Sequence, residues 1–404
     1  MQEMQMKRKK LGRVAAVGTS LALALGLSAC SRDYTVAYVY SASTQNQTIS
    51  AFAVDYQSGT LSQLNGSPFA VNGKNPVALV TAPSSKYLYS ISNYSAEVDP
   101  FSIGSDGKLY ALHSVNTTGS YPVAAAEDAS GAFLYVVNTL QNQYTTANPG
   151  PGCISIFPIN SDGTLGTPTT QNVGNNPVGI AVSPKTGFVY VVDQESYGGQ
   201  ILTFSRDSST GALTPAAGTT ITTGTNGQTV ATGTTVGSVP SAIAIDPTSR
   251  FVYVTDKINN ELYGFSSNTS TGVLTPMVTS PYTTGLLPVA ITIDQRAKYL
   301  YVANYSSGSV TTFSISQADG SLTGAAAGSS LTGSGASCIT IEPALGLYMY
   351  VTDKIDNQLS GLKLSSETGA LTNIENTPFD VGALPVGCAT AANGEHATQV
   401  TYPQ

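Results

Sequence analysis

The chain has 404 residues, of which 10% are charged, and its formal net charge is −7 at pH 7. Its wealth of Gly, Ser, Thr, Val and Tyr is typical of β-strands joined by tight turns. The acidic balance and the lack of a basic stripe argue against a nucleic-acid partner. No apolar stretch after residue 30 approaches the roughly 20 residues that a membrane span needs.

The N-terminal residues 1–29 have the pattern of a signal peptide, in which a basic stretch precedes an apolar run. The run ends in Leu27-Ser28-Ala29-Cys30. This ending resembles the bacterial lipobox, and the resemblance implies cleavage after residue 29 and acylation of Cys30. Because Ser31 rather than Asp follows, the resemblance favours the outer membrane. An ordinary secretory signal with an incidental cysteine is the alternative.

Cleavage at this point changes the charge of the chain. It removes five basic residues and one acidic residue from totals of 17 and 24, which leaves a net charge of about −11. A field of that sign repels anionic membrane surfaces and phosphorylated metabolites. We therefore expect membrane contact through the lipid anchor only. Residues 30–33 would form a short tether that spans about 15 Å.

A repeat of about 50 residues dominates the chain after residue 34. Each unit opens with Gly-x-x-Pro and an apolar strand, continues with an aromatic strand and a third strand, and ends in a Gly-x-Leu turn. The second-strand markers are Tyr38, Tyr89, Tyr135, Tyr190, Tyr253, Tyr301 and Tyr350. The third-strand markers are Phe52, Phe101, Phe157, Phe204, Phe265, Phe313 and Leu362. The turn markers are Leu61, Leu109, Leu165, Leu213, Leu274, Leu322 and Leu371.

Three independent markers each give seven units, so residues 34–392 are predicted to form an all-β, seven-bladed β-propeller with four antiparallel strands per blade. Segments such as Phe251-Val252-Tyr253-Val254 are apolar on both faces and must be covered on both sides, as stacked blades do. An open solenoid is the alternative.

Ring closure can be predicted from the positions of the openers. They begin at Gly73, Gly119, Gly174, Gly237, Gly285 and Gly382, with a variant from Gly333 to Ala336. The first unit lacks an opener, and the last opener has a single strand after it. Residues 385–392 should therefore supply the innermost strand of blade 1, and residues 393–404 should form a tail.

The cysteines indicate an oxidising compartment. Cys338 and Cys388 occupy matching positions on inner strands of neighbouring blades, so we predict a disulfide that staples the ring closure. Two buried small apolar side chains are the alternative. The state of Cys153 stays open, because three cysteines cannot all pair within one chain.

Two expanded loops depart from the repeat, and both should emerge on one face over neighbouring blades. One runs from Asn138 to Cys153 and offers Tyr144 and Asn148 as contact candidates, and the other runs from Thr214 to Gly237. Long loops on rigid scaffolds often carry binding, although neutral drift is the alternative. A further set of polar residues follows the second strands and forms either a structural support or a polar rim for a ligand. Its members are Asn138, Asp193, Asp256, Asn304 and Asp353.

The repeat also resembles known families. Residues 174–184, followed by Phe188-Val189-Tyr190-Val191-Val192-Asp193, are similar to the YVTN-type propeller repeat. The stretch 265–274 and the segments Ser67-Pro68-Phe69 and Thr377-Pro378-Phe379 resemble the lactonase-like seven-bladed propellers. That family includes 6-phosphogluconolactonases and carboxy-cis,cis-muconate cyclases. The resemblance covers nearly all of residues 34–392.

The resemblance implies His, Arg and Glu side chains at the central funnel, with His after the opening Pro of inner strands. The residues at these candidate funnel positions are Val77, Val123, Val178, Ser241, Val289, Ser337 and Val386. None is His. The two histidines, His113 in an expected outer strand of blade 2 and His396 in the tail, are interpreted as surface residues.

The remaining charged residues are interpreted as structural parts of turns rather than as catalytic groups. The arginines Arg206, Arg250 and Arg296 look like parts of solvated turns. The acids that close inner strands look like turn formers. These acids are Glu127, Asp128, Asp246, Asp294 and Glu342. No metal-ligand spacing or cofactor motif is evident, so we expect neither a metal nor a cofactor.

The sequence favours an exported, lipid-anchored propeller that acts as a ligand- or protein-binding scaffold in the cell envelope, facing the periplasm or the surface. Its partner would be an envelope protein, a glycan or a small ligand, and the chain is expected to be a monomer. The alternative is a lactone hydrolase of the 6-phosphogluconolactonase type, or a muconate-cyclase-type enzyme, acting in the central funnel.

Overall fold

The computed structural model of the protein describes residues 34–195, 198–223 and 229–394. The predicted signal peptide, Cys30, most of the tail and His396 lie outside these ranges. The described residues form seven antiparallel sheets and one additional hairpin. Secondary structure in the described ranges is entirely β, so they hold no helix that could cross a membrane.

The strands are numbered along the chain. Each blade contains one innermost, one second, one third and one outermost strand. From blade 1 to blade 7, the innermost strands are Pro385–Ala392 (β35), Pro76–Thr81 (β5), Gly119–Glu127 (β10), Pro177–Val182 (β14), Pro240–Ile245 (β21), Pro288–Ile293 (β26) and Ala336–Ile341 (β30). In the same order of blades, the second strands are Thr35–Ser43 (β1), Tyr87–Ser92 (β6), Phe133–Gln141 (β11), Phe188–Glu195 (β15), Phe251–Asp256 (β22), Tyr299–Asn304 (β27) and Tyr348–Asp353 (β31).

The third strands are Thr48–Asp55 (β2), Glu97–Ile103 (β7), Cys153–Pro158 (β12), Gly198–Arg206 (β16), Glu261–Ser267 (β23), Ser309–Ile315 (β28) and Gln358–Leu364 (β32). The outermost strands are Leu61–Gln63 (β3), Leu109–Ala111 (β8), Thr169–Asn172 (β13), Leu213–Pro215 (β17), Leu274–Pro276 (β24), Leu322–Leu331 (β29) and Leu371–Asn373 (β33). Short strands that also pair with third strands are Phe69–Ala70 (β4), Val115–Asn116 (β9), Thr234–Val236 (β20), Tyr282–Thr283 (β25) and Phe379–Asp380 (β34). The additional hairpin joins Thr220–Thr223 (β18) to Thr229–Thr232 (β19).

The ring closes as the openers predict. Strand β35 pairs antiparallel with β1, and Tyr40 lies opposite Ala389. Each innermost strand packs against the next one, and β35 packs against both β30 and β5. Blade 1 therefore combines a strand from the C-terminal end of the ring with three from its N-terminal end. Seven apolar clusters, one between each pair of neighbouring blades, form the core.

A belt of second-strand tyrosines connects each blade to the following one. The hydroxyl of Tyr253 in blade 5 donates to the carbonyl of Gly320 in the outer turn of blade 6 at 2.7 Å. Tyr350 in blade 7 donates to Gly59 in blade 1 at 2.6 Å, so the belt runs across the closure. In blade 1 the belt member is Tyr40, which donates to Gly107. The sequence analysis chose Tyr38 as the marker of this strand, which is two residues before Tyr40. The error arose because both tyrosines lie on the same face of β1 and both fit the repeat.

The backbone conformation and the close approach of a neighbouring ring both require glycine in the outer turns. Gly320 has a φ of +75°, and a Cβ built on it would lie 2.4 Å from the ring of Phe251 in the preceding blade. The same arrangement holds for Gly59, Gly107, Gly163, Gly211, Gly272 and Gly369. The Gly-x-Leu marker therefore reports a close approach between blades as well as a turn.

We expect Gly320→Ala to lower the free energy of unfolding by about 1–2 kcal/mol, because alanine is strained at this φ and displaces the Phe251 ring. Urea unfolding measures the change. Gly324→Ala is the matched control, since a Cβ at Gly324 meets nothing within 4 Å. Equal unfolding midpoints for the two variants would contradict this account.

The arginines are half-buried and bond to neighbouring blades, whereas the sequence interpretation placed them in solvated turns. Arg206 in blade 4 forms an ion pair with the buried Asp128 of blade 3 at 3.3 Å. Arg250 donates to the carbonyl of Gln317 at 3.1 Å, and Arg296 donates to that of Leu345 at 3.1 Å. Each guanidinium thus reaches a neighbouring blade. A planar group with five donors suits this bridging role, which sequence spacing does not reveal.

The acids that end inner strands organise the turns that follow them, as predicted for four of the five. The Asp246 carboxylate accepts from the backbone N–H groups of Arg250 and Phe251, both at 2.7 Å. Asp128, Asp294 and Glu342 accept equivalent bonds. Glu127 is the exception, because no hydrogen-bond donor in the described ranges reaches its carboxylate.

Cys338 and Cys388 form a disulfide, with their Cα atoms 5.8 Å apart. Their positions are not strictly matching, however. Cys338 lies two residues after Ala336, whereas Cys388 lies three residues after Pro385. Because strand side chains alternate, this offset points the two sulfur atoms at each other across the interface between blades 7 and 1. Cys153 is a free thiol and is buried, and burial raises its pKa to about 11.

Candidate functional site: the loop face and the central channel

The openers and the loops between second and third strands lie at one end of the blades, which we call the loop face. The Asn93 N–H donates to the Asn75 carbonyl at 2.9 Å, and the Gln194 N–H donates to that of Asn176 at 2.9 Å. These bonds tie each second-strand loop to the opener of its own blade. The predicted shared face of the two loop types is therefore correct.

A cavity of about 910 Å³ lies on the loop face over blades 2 to 5, and we call it the loop-face cavity. Its lining consists of Asn93, Tyr121, Val123, Thr139, Leu140, Thr146, Pro149, Gly150, Asn175, Asn176, Gln194, Ser238 and Val239. Amides and hydroxyls supply its polar groups. No Asp, Glu, Lys, Arg or His is among these described lining residues.

Hydrogen bonds between neighbouring blades hold the polar side chains of the loop-face cavity. Asn93 donates from Nδ2 to the Pro122 carbonyl at 2.8 Å. Gln194 donates from Nε2 to the Pro240 carbonyl at 2.6 Å and accepts from the Asn176 amide at 3.0 Å. The amides are thus oriented before any ligand arrives, which lowers the entropic cost of binding.

The blade 3 insertion forms one wall of the loop-face cavity through Thr146, Pro149 and Gly150. The predicted contact residues lie beside this wall rather than in it. The Tyr144 ring packs against Gly150, and Asn148 is exposed and bridges to Thr145. The loop predicted from its length is therefore at the cavity, although the lining positions differ from those chosen by residue type.

The second insertion behaves differently from the prediction. Its hairpin, β18–β19, lies at the outer edge of blade 4, where Ala231 joins the apolar cluster between blades 3 and 4. The Gln200 amide donates to the Ala231 carbonyl at 3.2 Å. Among the described residues from Thr214 to Pro240, only Ser238 and Val239, in the opener that follows the insertion, reach the loop-face cavity. The apolar face of the hairpin explains the difference, because it is buried against the core.

The polar residues that follow the second strands are buried, so they do not form a solvent-facing rim. Asp256 accepts from the backbone N–H groups of Ile258 and Asn259 at 3.0 and 3.1 Å. Asp193 accepts from the Asn176 N–H at 2.9 Å. Asn138 and Asn304 donate to third-strand hydroxyls. These contacts support the loops that shape the loop face.

Asp353 is the fifth member of this set. It accepts from the Ser360 hydroxyl at 2.6 Å, and burial raises its pKa to about 6. It lies opposite Ala336 at the start of β30, away from the loop-face cavity.

The seven candidate funnel positions all line the central channel, whose volume is about 270 Å³. Five are valines. The two serines are already engaged, since Ser241 donates to the Pro288 carbonyl at 2.7 Å and Ser337 donates to that of Pro385 at 3.0 Å. The described residues of the channel wall therefore present no charged side chain, unlike the charged funnel that the family resemblance implied.

Glu127 was interpreted from the sequence as a turn former, and this interpretation was wrong. It ends β10 at the position where other inner strands carry Val182, Ile245, Ile293 and Ile341. Both carboxylate oxygens are buried without a hydrogen-bond partner among the described residues. Burial first, and then the Asp128 charge, raise its pKa to about 8. The sequence could have indicated this, because at Glu127 a carboxyl group replaces the aliphatic side chain that other repeats carry.

Other candidates for acid–base or metal chemistry lie elsewhere. His113 is exposed between β8 and β9 rather than within a strand. Within the described ranges, no three His, Cys, Asp or Glu side chains cluster as metal ligands would.

The fold and the cavity define a seven-bladed β-propeller with a recessed site on one face. The model of the family described as "Lactonase, 7-bladed beta-propeller" matches residues 9–341 of this chain. The chain belongs to this family. No curated protein matches the sequence significantly.

Solved structures share the fold at low identity. A Bacteroides fragilis protein named as a candidate 6-phosphogluconolactonase is 21% identical with a TM-score of 0.71, over 89% of this chain and 99% of that one. A periplasmic gluconolactonase from Pseudomonas aeruginosa is 16% identical with a TM-score of 0.70, over 89% and 99%. At these identities the likeness establishes the fold alone.

Proposed function

We propose that the protein is a binding propeller whose loop-face cavity takes an uncharged, hydroxyl-rich ligand, such as a saccharide or the end of a glycan. The observation that carries this proposal is the set of preoriented amides and hydroxyls with no charged side chain among them. Amides of Asn93, Asn176 and Gln194 can each pair with sugar hydroxyls as donor and acceptor.

The same wall disfavours an anionic ligand. A phosphate or carboxylate group is normally held by Arg, Lys or a helix N-terminus, and the described lining offers none of these. The negative charge expected for the processed chain would also slow the approach of such a ligand.

Isothermal titration with neutral monosaccharides and disaccharides, and with glucose 6-phosphate and gluconate, tests this proposal. We expect saturable binding of a neutral saccharide and none of its charged analogues. Gln194→Leu should weaken binding by about tenfold, because an oriented, half-buried hydrogen-bond partner is lost. Gln63→Leu is the matched control, since Gln63 is exposed at the outer edge of blade 1. Preference for the phosphorylated sugar, or no binding at all, would reject the proposal.

The second candidate function is lactone hydrolysis, with muconate-type cyclisation as a variant of it. Family membership and the names of the structural neighbours support it. Hydrolysis needs a base and donors for the developing oxyanion, and the described lining of the cavity and channel offers no charged group for these roles. Saturable turnover of gluconolactone or 6-phosphogluconolactone that Gln194→Leu abolishes would favour this candidate over simple binding.

We also propose that the chain is processed and lipidated at Cys30 and resides in the cell envelope. The lipobox-like Leu27-Ser28-Ala29-Cys30 supports this. The protein expressed from the full-length gene should carry a lipid mass on a chain that begins at Cys30, and should partition into detergent. Cys30→Ser should lack that mass and remain in the aqueous phase. Mass spectrometry of the two proteins decides, and an unmodified N-terminus in both would contradict the proposal.

A further inference from the structure

We infer that the protein turns the end of its blades opposite the loop face toward the bilayer that anchors it, so that the loop-face cavity opens away from that membrane. This opposite end, which we call the turn face, carries the turns that contain Asp246 and Gly320. The inference rests on the proposed lipidation of Cys30 and adds the orientation of the propeller to it. It also narrows the ligand of the loop-face cavity to a saccharide that is soluble or displayed on a facing surface.

The chain enters blade 1 on the turn face. Strand β1 begins at Thr35 and ends at Ser43. The Ser43 hydroxyl donates at 2.6 Å to the carbonyl of Ala383, in the opener of blade 1, so this end of β1 lies on the loop face. Thr35 lies opposite Asp55, the last residue before the outer turn of blade 1. The start of β1 therefore belongs to the turn face.

This entry point is fixed by hydrogen bonds on both sides. The Asn393 side chain donates from Nδ2 to the Thr35 carbonyl at 2.8 Å, and the Asn393 N–H donates to the Val36 carbonyl at 3.0 Å. Strand β1 also pairs with β2 along one edge and with β35 along the other. Peeling β1 away to lengthen the tether would break these bonds and expose Val36, which is buried. The tether therefore ends where β1 begins.

The tether is shorter than the blade is tall. Five peptide steps separate Cys30 from Thr35, and even a fully extended chain spans about 18 Å over them. Strand β1, with 9 residues, crosses the blade from the turn face to the loop face, and its eight steps of about 3.4 Å cover about 27 Å. The tether cannot run past the blade, so the loop face cannot lie on the bilayer that holds a lipid at Cys30.

Charge on the turn face is compatible with this orientation but does not set it. The turns between innermost and second strands expose Lys86 and Lys298, whereas Asp246 and Asp294 in the same kind of turn are buried. The outer turns, farther from the axis, carry exposed acids such as Asp162. Exposed charges are screened within about 8 Å at physiological salt, and the two signs oppose each other here. The length of the tether therefore decides the orientation.

Energy transfer from a donor dye on the lipidated protein to acceptor-labelled lipids, in phosphatidylcholine vesicles, measures the orientation. The dye is attached at one of two exposed positions in blade 6, through Lys298→Cys on the turn face or Leu286→Cys on the loop face. Cys153 is buried, and Cys338 and Cys388 are joined, so a maleimide dye added without reductant reacts at the introduced cysteine. We expect higher transfer efficiency from Lys298→Cys, equivalent to a height difference of about 20 Å between the two positions.

A lengthened tether is the matched control. Ten Gly and Ser residues inserted between Ser31 and Arg32 add about 33–36 Å of contour length, which is enough for the propeller to turn over, and they leave the lipidation sequence unchanged. The difference in transfer between the two dye positions should then shrink. An undiminished difference would show that the tether does not set the orientation, and would contradict the inference.

The failure of the orientation and the failure of lipidation give different results. Equal transfer from the two positions with the native tether, or higher transfer from Leu286→Cys, would overturn the orientation while lipidation stands. If the protein does not bind the vesicles, and Cys30→Ser behaves in the same way, lipidation fails and the orientation fails with it. The saccharide titration described above is independent of both results.

Discussion

Replacing Cys338 and Cys388 together by alanine should lower the free energy of unfolding by about 3–4 kcal/mol. The disulfide spans 50 residues, and a cross-link of that length removes much of the conformational freedom of the unfolded chain. It also holds β35, the strand that closes the ring by pairing with β1, against β30 of blade 7. We therefore expect the double variant to unfold first at β35.

Equilibrium unfolding in guanidinium, with and without a thiol reductant, measures this effect. Reduced wild-type protein should match the double variant, and the double variant should not respond to reductant. Because Cys153 is buried and unpaired in both proteins, it serves as an internal control for general thiol effects. Equal stability of oxidised wild type and the double variant would show that strand pairing alone secures the closure.

The second expected result is that stability falls as pH rises from about 4.5 to about 8, and that Glu127 causes part of this fall. Burial raises the folded-state pKa of Glu127 from 4.5 to about 8. Between these values the folded state keeps a proton that the unfolded state releases, so rising pH favours unfolding. The stabilisation is fully present below pH 4.5 and is lost as pH rises through about 8.

Because solvent reaches part of Glu127, we expect about 2 kcal/mol rather than the full value of the pKa shift. Glu127→Gln should remove this contribution, and Glu127→Ile, which restores the residue type of Ile245 and Ile293, should raise stability at pH 8 by a similar amount. The Glu127 carboxyl group interacts electrostatically with the carboxylate of Asp128 and the phenol of Tyr89.

Unfolding free energies at several pH values from 4 to 9 test this account. Other buried acids also titrate, notably Asp353, whose pKa is about 6, so the informative quantity is the difference between wild type and Glu127→Gln. Glu367→Gln, at an exposed turn, is the control and should leave the profile unchanged. Parallel profiles for wild type and Glu127→Gln would contradict the assignment.

The sequence predicted most of the fold, because the residues that mark the repeat are restricted to particular backbone conformations or to buried positions. The outer-turn glycines need a positive φ, and the third-strand phenylalanines are buried in every blade where they occur. The missing first opener and the extra last one were sufficient to predict that β35 completes blade 1. These predictions depend on the local sequence pattern and not on how individual side chains pack between blades.

The site was less predictable. Loop length located the blade 3 insertion at the loop-face cavity, but Tyr144 and Asn148, which were chosen by residue type, lie beside the cavity lining and not in it. The polar residues after the second strands suggested a rim, whereas the structure buries Asp193 and Asp256 beneath their loops. Spacing gives the end of the blade at which a residue lies, but only neighbouring blades determine whether its side chain faces solvent.

The sequence by itself determined the number of blades, the way in which the ring closes, and the absence of charge at the funnel positions. The sequence also predicted the pairing of Cys338 with Cys388. Tertiary structure decided other contacts across blades: the ion pair of Arg206 with Asp128, and the hydrogen bond from the Tyr40 hydroxyl to the Gly107 carbonyl. The physical reason is that a repeat fixes contacts within a blade through strand register. Contacts between blades depend on a one-residue alternation of side chains that similar sequence positions do not reveal.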